Sequence, residues 1–547
     1  MVLGGRESRS QGEGRQRVSM SKNQRGAVMP GDTLGNPGVL CLEPGEAPEY
    51  AEEEPAAAEG DDFAPAEGAP LDGDRVRGMQ VKLHRWAGED SSRQFGDLWN
   101  LVCDFGFLAR SWDRVRSNRG ARTAGVDGLR AVDVEYREGG VGGFLEEIRR
   151  QLKDGSYRPS PVRRVEIPKP NGKVRKLGIP TVADRVVQGA LKLVLEPVFE
   201  ADFRPCSYGF RPNRRAQDAI AEIHYFASRS YTVALEADIR ACFDEIDHSC
   251  LMGRVRRRIK DKRVLALVKA FLKAGVMTAV NYFEDSLAGT PQGGILSPLL
   301  ANIALSALDE HFDRRWQDQM GTQSKRQSRR RKGLANVRLI RYCDDFVIMV
   351  HGSLADAESL RAEVAAVLDS LGLRLAEEKT RAVSIDEGFD FLGFNIRRMR
   401  KRGTDEHHVY TRPSRKSIQT AKDKVAGKTY RSTRNKDFKV LLEGLNKSLA
   451  GWANYFRYGV CSGAFREVDY HAWGRIMRWL RRKYAGRTGL SLRKMRRQFC
   501  LPGTWIFAVD GVRFKGAGAV TSKEYRYRGY RIPTPWAPQT EIAAKTA

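Results

Sequence analysis

The amino-acid sequence predicts an α+β fold organised around one short β-hairpin. Three observations carry that expectation. Residues 337–350 read VRLIRYCDDFVIMV, two runs rich in Val, Ile and Phe joined across a tight-turn length. Residues 165–168 and 174–179 form a second strand pair around Pro170-Asn171-Gly172-Lys173, a hairpin-turn sequence. Between and beyond these runs, apolar residues recur at spacings of 3 and 4 over long stretches, the signature of helices packed by one face.

The first hairpin carries two adjacent carboxylates, Asp344 and Asp345. Ionised side chains between buried strands are costly unless positive charge lies against them. A divalent cation supplies it: Mg²⁺ takes one or two carboxylates together with phosphate oxygens. Taken alone, the pattern equally fits a surface hairpin with an acidic tip. A third carboxylate on a strand decides between the two readings, and 233–242, VALEADIRAC, offers Asp238 in an apolar alternation. By itself Asp238 could also cap the helix that follows. Together the three aspartates form the ligand set of a two-metal site, with ions about 3.5–4 Å apart, for in-line displacement at phosphorus.

Composition narrows the partners. The chain has 547 residues and a formal net charge of +27, enough length for roughly two to four domains. Its pI near 9.9 points to a polyanionic partner. The charge is uneven: no Lys or Arg occurs between Ala27 and Asp74, where Glu and Asp are frequent. Eight scattered cysteines contain no C-x-x-C pair, so neither a zinc ribbon nor a disulfide framework is suggested. No apolar run nears the roughly 18 residues of a membrane span, and the first residues lack the apolar core of a secretory signal.

Taken in order, residues 1–78 are Gly-, Pro-, Ala- and Glu-rich with few aromatics, and read as a disordered, dispensable tail. Met79, where composition changes, is a candidate second translation start. Residues 96–118 place Leu98, Leu101, Val102, Phe105, Leu108 and Trp112 at helical spacing, a basic loop follows at 119–128, and 144–152 is a second helix. The 165–179 hairpin carries Lys169, Lys173, Arg175 and Lys176 at or near its tip, either a solvated turn or a grip on a triphosphate. An amphipathic helix covers 184–199. Gly293 and Gly294 open a turn that lets backbone approach a ligand, before a helix starting at Ser297 and Pro298. Residues 321–335, GTQSKRQSRRRKGLA, read as a basic loop ahead of the Asp pair, with Arg329, Arg330 and Arg331 as phosphate contacts. A helix at 355–371 and a strand at 390–396 follow. Residues 397–436 are basic and broken by Gly, Pro, Ser and Thr. Helices at 438–458 and 470–486 come next, the second mixing Trp and Tyr with Arg478, Arg481, Arg482 and Lys483. That mixture suits either a bundle core with snorkelling cations or a nucleic-acid groove. The tail, RKMRRQFC and KEYRYRGYRIPTPW, repeats it as a small basic module.

The pieces together resemble the bacterial reverse transcriptase/maturases encoded by group II introns. The motifs are IPKPNGKVRKLGIP (167–180), YGFRPNRRAQDAI (208–220), DIRACFDEIDH (238–248), TPQGGILSPLLAN (290–302), RYCDDF (341–346), LRLAEEKT (373–380) and FLGF (391–394), in the family's order. AGVDG (124–128) is similar to that family's N-terminal extension and GWANYFRYG (451–459) to its maturase, or X, region.

The resemblance implies a right-hand polymerase: a tail (1–78), an N-terminal extension (79–147), fingers and palm (148–396), a helical thumb/maturase region (397–486) and a basic, DNA-binding-like C-terminal region (487–547). It implies RNA-directed DNA synthesis with two Mg²⁺ ions on Asp238, Asp344 and Asp345. Phe243 matches the aromatic gate against a 2′-hydroxyl, and Arg175, Gln292, Lys379 and Lys169 match nucleotide contacts. Cys343 stands where Ala is commoner, so packing at the primer end is expected to differ. The last His is His471 and only Cys500 follows it, so no zinc-braced H-N-H endonuclease is expected. Implied partners are intron RNA, target DNA with its primer, and dNTPs, with no membrane; homodimer formation stays open. The implied setting is a cytoplasmic ribonucleoprotein associated with the nucleoid. Two rivals remain at this point: a reverse transcriptase of a retron or defence lineage, and an RNA-binding splicing factor without polymerase activity.

Overall fold

The computed structural model describes residues 72–168, 174–277, 283–284, 289–290, 293–484 and 491–537. The chain is mixed helix and sheet. Its described part begins with helices α1 (Asp72–Glu89), α2 (Trp99–Val102), α3 (Phe105–Ser117), α4 (Ala131–Tyr136) and α5 (Gly140–Asp154). A hairpin follows, β1 (Val162–Pro168) with β2 (Val174–Ile179), then α6 (Val182–Glu200), a nearly wholly buried helix on which α1 and α3 pack. Thr181 caps α6, its hydroxyl accepting from the Asp184 N–H at 3.1 Å.

Next come α7 (Ala216–Ala227), β3 (Val233–Ala237), α8 (Cys242–Glu245), α9 (His248–Arg256), α10 (Lys262–Lys273), β4 (Val276–Met277), β5 (Phe283–Glu284), α11 (Ser297–Met320) and α12 (Gln323–Arg331). The hairpin β6 (Asn336–Tyr342) and β7 (Asp345–His351) leads to α13 (Leu354–Asp369) and β8 (Arg381–Ser384). Strands β9 (Phe389–Phe391), β10 (Phe394–Arg400) and β11 (His407–Pro413) precede helices α14 (Arg415–Lys428), α15 (Phe438–Phe456), α16 (Ser462–Lys483) and α17 (Leu492–Phe499), and the short pair β12 (Ala508–Val509) and β13 (Val512–Arg513).

The central sheet has strand order β6-β7-β3-β8, all neighbours antiparallel. It is covered on both faces, which is why FVIMV is continuously apolar rather than alternating. Leu235, Leu339, Ile348 and Val350 face the core shared with α6, α9, α10, α11 and α13. Ala234, Ile340, Val347 and Met349 face a second core with α7, β9 and β10. A second sheet, β2-β1-β4-β5, holds the predicted hairpin in register from Arg163↔Ile179 to Pro168↔Val174. A third core, built from α14, α15, α16 and α17, includes Phe438, Leu445, Ile476 and Trp479. Among the described residues no helix is long and apolar enough to cross a membrane.

Several expectations are corrected. Residues 72–78 are helical, and Val76 is in the core, so the tail read as 1–78 ends earlier; residues 1–71 lie outside the described residues. The single helix over 96–118 is two, split at Cys103-Asp104. Asp104 caps α3, accepting from the Gly106 N–H at 3.0 Å, and Phe105 faces outward. The basic loop of 321–335 holds a helix, α12, capped by Thr322, because Gln, Arg and Lys are good helix formers. The strand over 390–396 is two, turning at Leu392-Gly393, and the broken stretch 397–436 contains β11 and α14.

The aromatic–basic tail is corrected as well. Over 525–536 it straps across the body. Arg528 pairs with buried Asp218 at 3.0 Å, and the Tyr525 hydroxyl donates to the same carboxylate at 2.9 Å. The Tyr527 hydroxyl donates to buried Glu222 at 3.1 Å, and Trp536 packs against His84 with ring centroids 5.8 Å apart.

Candidate active site

The β6–β7 hairpin ends in the pair Tyr342↔Asp345, leaving Cys343 and Asp344 to make the turn. A turn this short forces Cys343 into the left-handed region, φ 59°. One buried guanidinium holds it there. Arg341 donates to the Cys343 carbonyl at 2.7 Å and forks onto Asp309 of α11 at 2.7 and 2.6 Å. It also reaches Asn302 at 3.1 Å and Ser207 at 2.7 Å. Asn302 in turn donates to the Gly209 carbonyl at 2.8 Å, and Gly209 lies so close to Cys343 that any Cβ there would strike its backbone and sulfur. Burial raises the pKa of the Cys343 thiol, which stays protonated and acts as packing.

Asp238 follows the last residue of β3. Ala237 pairs with Phe346, so one step further Asp238 stands beside Asp345 on the neighbouring strand, about 5 Å away between backbones. The Asp238 carbonyl accepts from the Ala376 N–H at 2.8 Å, and Ile239 bridges to Leu375. Ala241, φ 41°, turns the chain into α8, which presents Phe243. The Phe243 carbonyl accepts from the Thr290 N–H at 2.6 Å.

The three carboxylates repel one another. Loss of water raises Asp344, Asp238 adds to the rise, and Arg175 and Lys379 oppose it. Loss of water, then Asp344 and Asp238, push Asp345 up to about 7, although its side chain opens to solvent at the mouth of the turn. The Lys379 ammonium pairs with Asp238, and that hydrogen bond raises the lysine. The donor set is all carboxylate oxygen and is short of positive charge, which fits a hard divalent cation. Among the described residues no group of three or more His, Cys, Asp or Glu side chains is arranged to hold a metal ion as the side chains stand.

The structure thus brings together Asp238, Asp344, Asp345, Lys379 and Arg175, with Phe243 on the helix that follows Asp238. Lys169 and Gln292 lie outside the described residues. Gly293 approaches β2 closely: a Cβ there would sit 2.6 Å from the Gly178 carbonyl oxygen. Arg330 and Arg331 on α12 are exposed, whereas Arg329 donates to the Ala335 carbonyl at 2.8 Å and to Gln319 at 3.0 Å. Helix α12 leads into the start of β6, so it is close to the aspartates in sequence but about 20 Å away along the strand. Arg478, Arg481 and Arg482 are exposed on α16; Lys483 donates to the Lys436 carbonyl and lies over Trp479. Sequence reasoning missed Arg341, Asp309 and Asn302. The signal was present, since an Arg inside an apolar strand demands a buried partner.

Clustered acids at neighbouring strand ends, with the basic side chains of Arg175 and Lys379 beside them, suit nucleotidyl transfer. Residues 167–396 match the family described as reverse transcriptase (RNA-dependent DNA polymerase), and residues 418–499 match the group II intron maturase-specific domain. The chain is 37% identical over 357 residues to Protein YkfC of Escherichia coli (strain K12), covering 62% of this chain and 93% of that one. It is 35% identical over 344 residues to the group II intron-encoded protein LtrA of Lactococcus lactis subsp. cremoris, covering 54% of this chain and 55% of LtrA. Identity to the putative COX1/OXI3 intron 1 protein of Saccharomyces cerevisiae is 28% over 335 residues, covering 55% and 39%. The chain therefore spans nearly all of YkfC but about half of LtrA. It belongs to the family of group II intron reverse transcriptase/maturases.

Proposed function

We propose that this chain is a right-hand polymerase that copies RNA into DNA with two Mg²⁺ ions, and that it also serves its host intron as a maturase. The central sheet is the palm, the β1–β2 sheet belongs to the fingers, and α14–α17 form the thumb and maturase region. The observation that carries this reading is the meeting of Asp238, Asp344 and Asp345 at the ends of β3 and the β6–β7 hairpin. When bound, Mg²⁺ supplies charge neutralisation at the attacking and leaving oxygens. Asp238 and the Asp pair would hold it, and Arg341 keeps the turn that carries Asp344. Arg175, exposed on β2, and Lys379 offer positive charge to the triphosphate. Phe243 closes the sugar side against a 2′-hydroxyl.

Intron RNA, target DNA with its primer, and dNTPs are the partners. Exposed Arg478, Arg481 and Arg482, together with Arg330 and Arg331, supply phosphate contacts to the RNA. The test uses purified full-length chain with a DNA primer on an RNA template, and in parallel with its intron RNA. Extension with dNTPs and Mg²⁺ is expected, lost in Asp238→Asn, Asp344→Asn and Asp345→Asn, while intron splicing persists in all three. Extension surviving in the variants refutes the site. A parent inactive in extension but active in splicing refutes the polymerase and leaves an RNA-binding splicing factor.

A further inference from the structure

Phe210 combines a left-handed backbone with an exposed aromatic side chain. Its backbone is left-handed, φ 56°, which is strained for a bulky aromatic residue. The residue is 41% exposed, so burial offsets little of that strain. The backbone on either side is nevertheless fixed by buried groups. Tyr208 donates its N–H to the Arg341 carbonyl at 2.9 Å, and the Gly209 carbonyl accepts from Asn302 at 2.8 Å. On the other side, Arg211 is buried and forks onto Glu200 at 3.0 and 2.7 Å. Strain held this firmly marks functional sites.

The ring has one described aromatic neighbour, Phe243, at 6.4 Å between centroids and 74° between planes, an edge-to-face contact. Phe243 stands on α8, fastened at its carbonyl by Thr290. Segment 208–210 lies against the Cys343 turn through Gly209, so Phe210 reaches the gate from the catalytic hairpin side.

We infer that Phe210 is a positioning residue for sugar selection: its ring braces Phe243 in the orientation that excludes a 2′-hydroxyl. This rests on the reading of Phe243 as the gate. A gate set by one ring can rotate away from a ribonucleotide; a second ring, held by a strained and anchored backbone, stops the rotation. The contact joins the gate to the hairpin that carries Asp344 and Asp345, so sugar fit and carboxylate geometry share one support.

The test is single-nucleotide incorporation on one template–primer by the full-length chain, measuring kcat and KM for a dNTP and its rNTP counterpart. The variants are Phe210→Ala, Phe210→Gly and Phe210→Tyr, with Phe243→Ala and the Phe210→Ala/Phe243→Ala pair. Phe210→Ala and Phe210→Gly are expected to raise rNTP use relative to dNTP about 3- to 10-fold, the scale of a lost edge-to-face contact, mainly through rNTP KM. Phe210→Tyr keeps a ring and restores the parent ratio. The double variant is no more permissive than Phe243→Ala, because the brace acts only through the gate. Because glycine relieves the backbone strain and alanine does not, equal ratios in the two variants assign the effect to the ring. If Phe243→Ala relaxes selection while Phe210→Ala keeps the parent ratio, the brace is wrong and the gate stands. If Phe243→Ala itself keeps the parent ratio, the gate falls and the inference with it.

Discussion

Replacing Arg341 by methionine tests what holds the Cys343-Asp344 turn. Arg341 and Asp309 have no exposed side-chain surface, and the guanidinium makes both oxygens' hydrogen bonds as well as one to the Cys343 carbonyl. Methionine fills much of the volume but leaves the Asp309 carboxylate stranded. Breaking a buried pair from one side costs about 3–5 kcal/mol. Each 1.4 kcal/mol is tenfold in an equilibrium, so amide exchange in β6 and β7 should accelerate by roughly two to three and a half orders of magnitude.

Adding Asp309→Leu removes the stranded charge, so the pair of changes should recover most of that protection. Primer extension should recover less, because the Cys343 carbonyl still lacks its donor and the turn still lacks its brace. Exchange within a few-fold of the parent in Arg341→Met, or a double variant that loses the plain sum of the two single losses, would refute the reasoning.

Two other outcomes follow from the same structure. Asp218→Ala releases Arg528 and Tyr525; because Arg528 is partly exposed and water takes up some of the loss, the cost should be about 1–2 kcal/mol, read as faster limited proteolysis within 520–537. Changing Arg478, Arg481 and Arg482 together to Gln should lower the slope of log binding constant against log salt by about 2–3 for intron RNA, and should depress splicing more than generic primer extension; a parallel fall in both would place α16 on the template path.

Much of the site was legible because its signals are local. Two apolar runs around Asp344-Asp345, and Asp238 in an apolar alternation, announce strands with misplaced charge, and the structure sets them side by side. The Asp104 cap is equally local, but the apolar spacing of 96–118 runs straight through it and masks it. Helix α12 was hidden by composition: Arg-rich sequence suggests a loop, yet Thr322 and good helix formers build a helix. What sequence could not show were partners distant along the chain. Tyr525, Tyr527 and Arg528 read only as part of a small basic module, and nothing near them in the sequence points to Asp218 and Glu222, some three hundred residues earlier, as their partners. Arg341 announces that it needs a partner but not that Asp309 and Asn302 supply it.

The central claim is that Asp238, Asp344 and Asp345 hold the cations of nucleotidyl transfer. The most direct measurement counts bound Mn²⁺, as a paramagnetic substitute for Mg²⁺, on the full-length chain with template–primer and a non-reactive dNTP analogue. The parent is expected to bind two ions per complex. Asp344→Asn should lose at least one and slow single-turnover extension by about 10³-fold or more. The same ion count and the same extension rate in Asp344→Asn as in the parent would contradict the account.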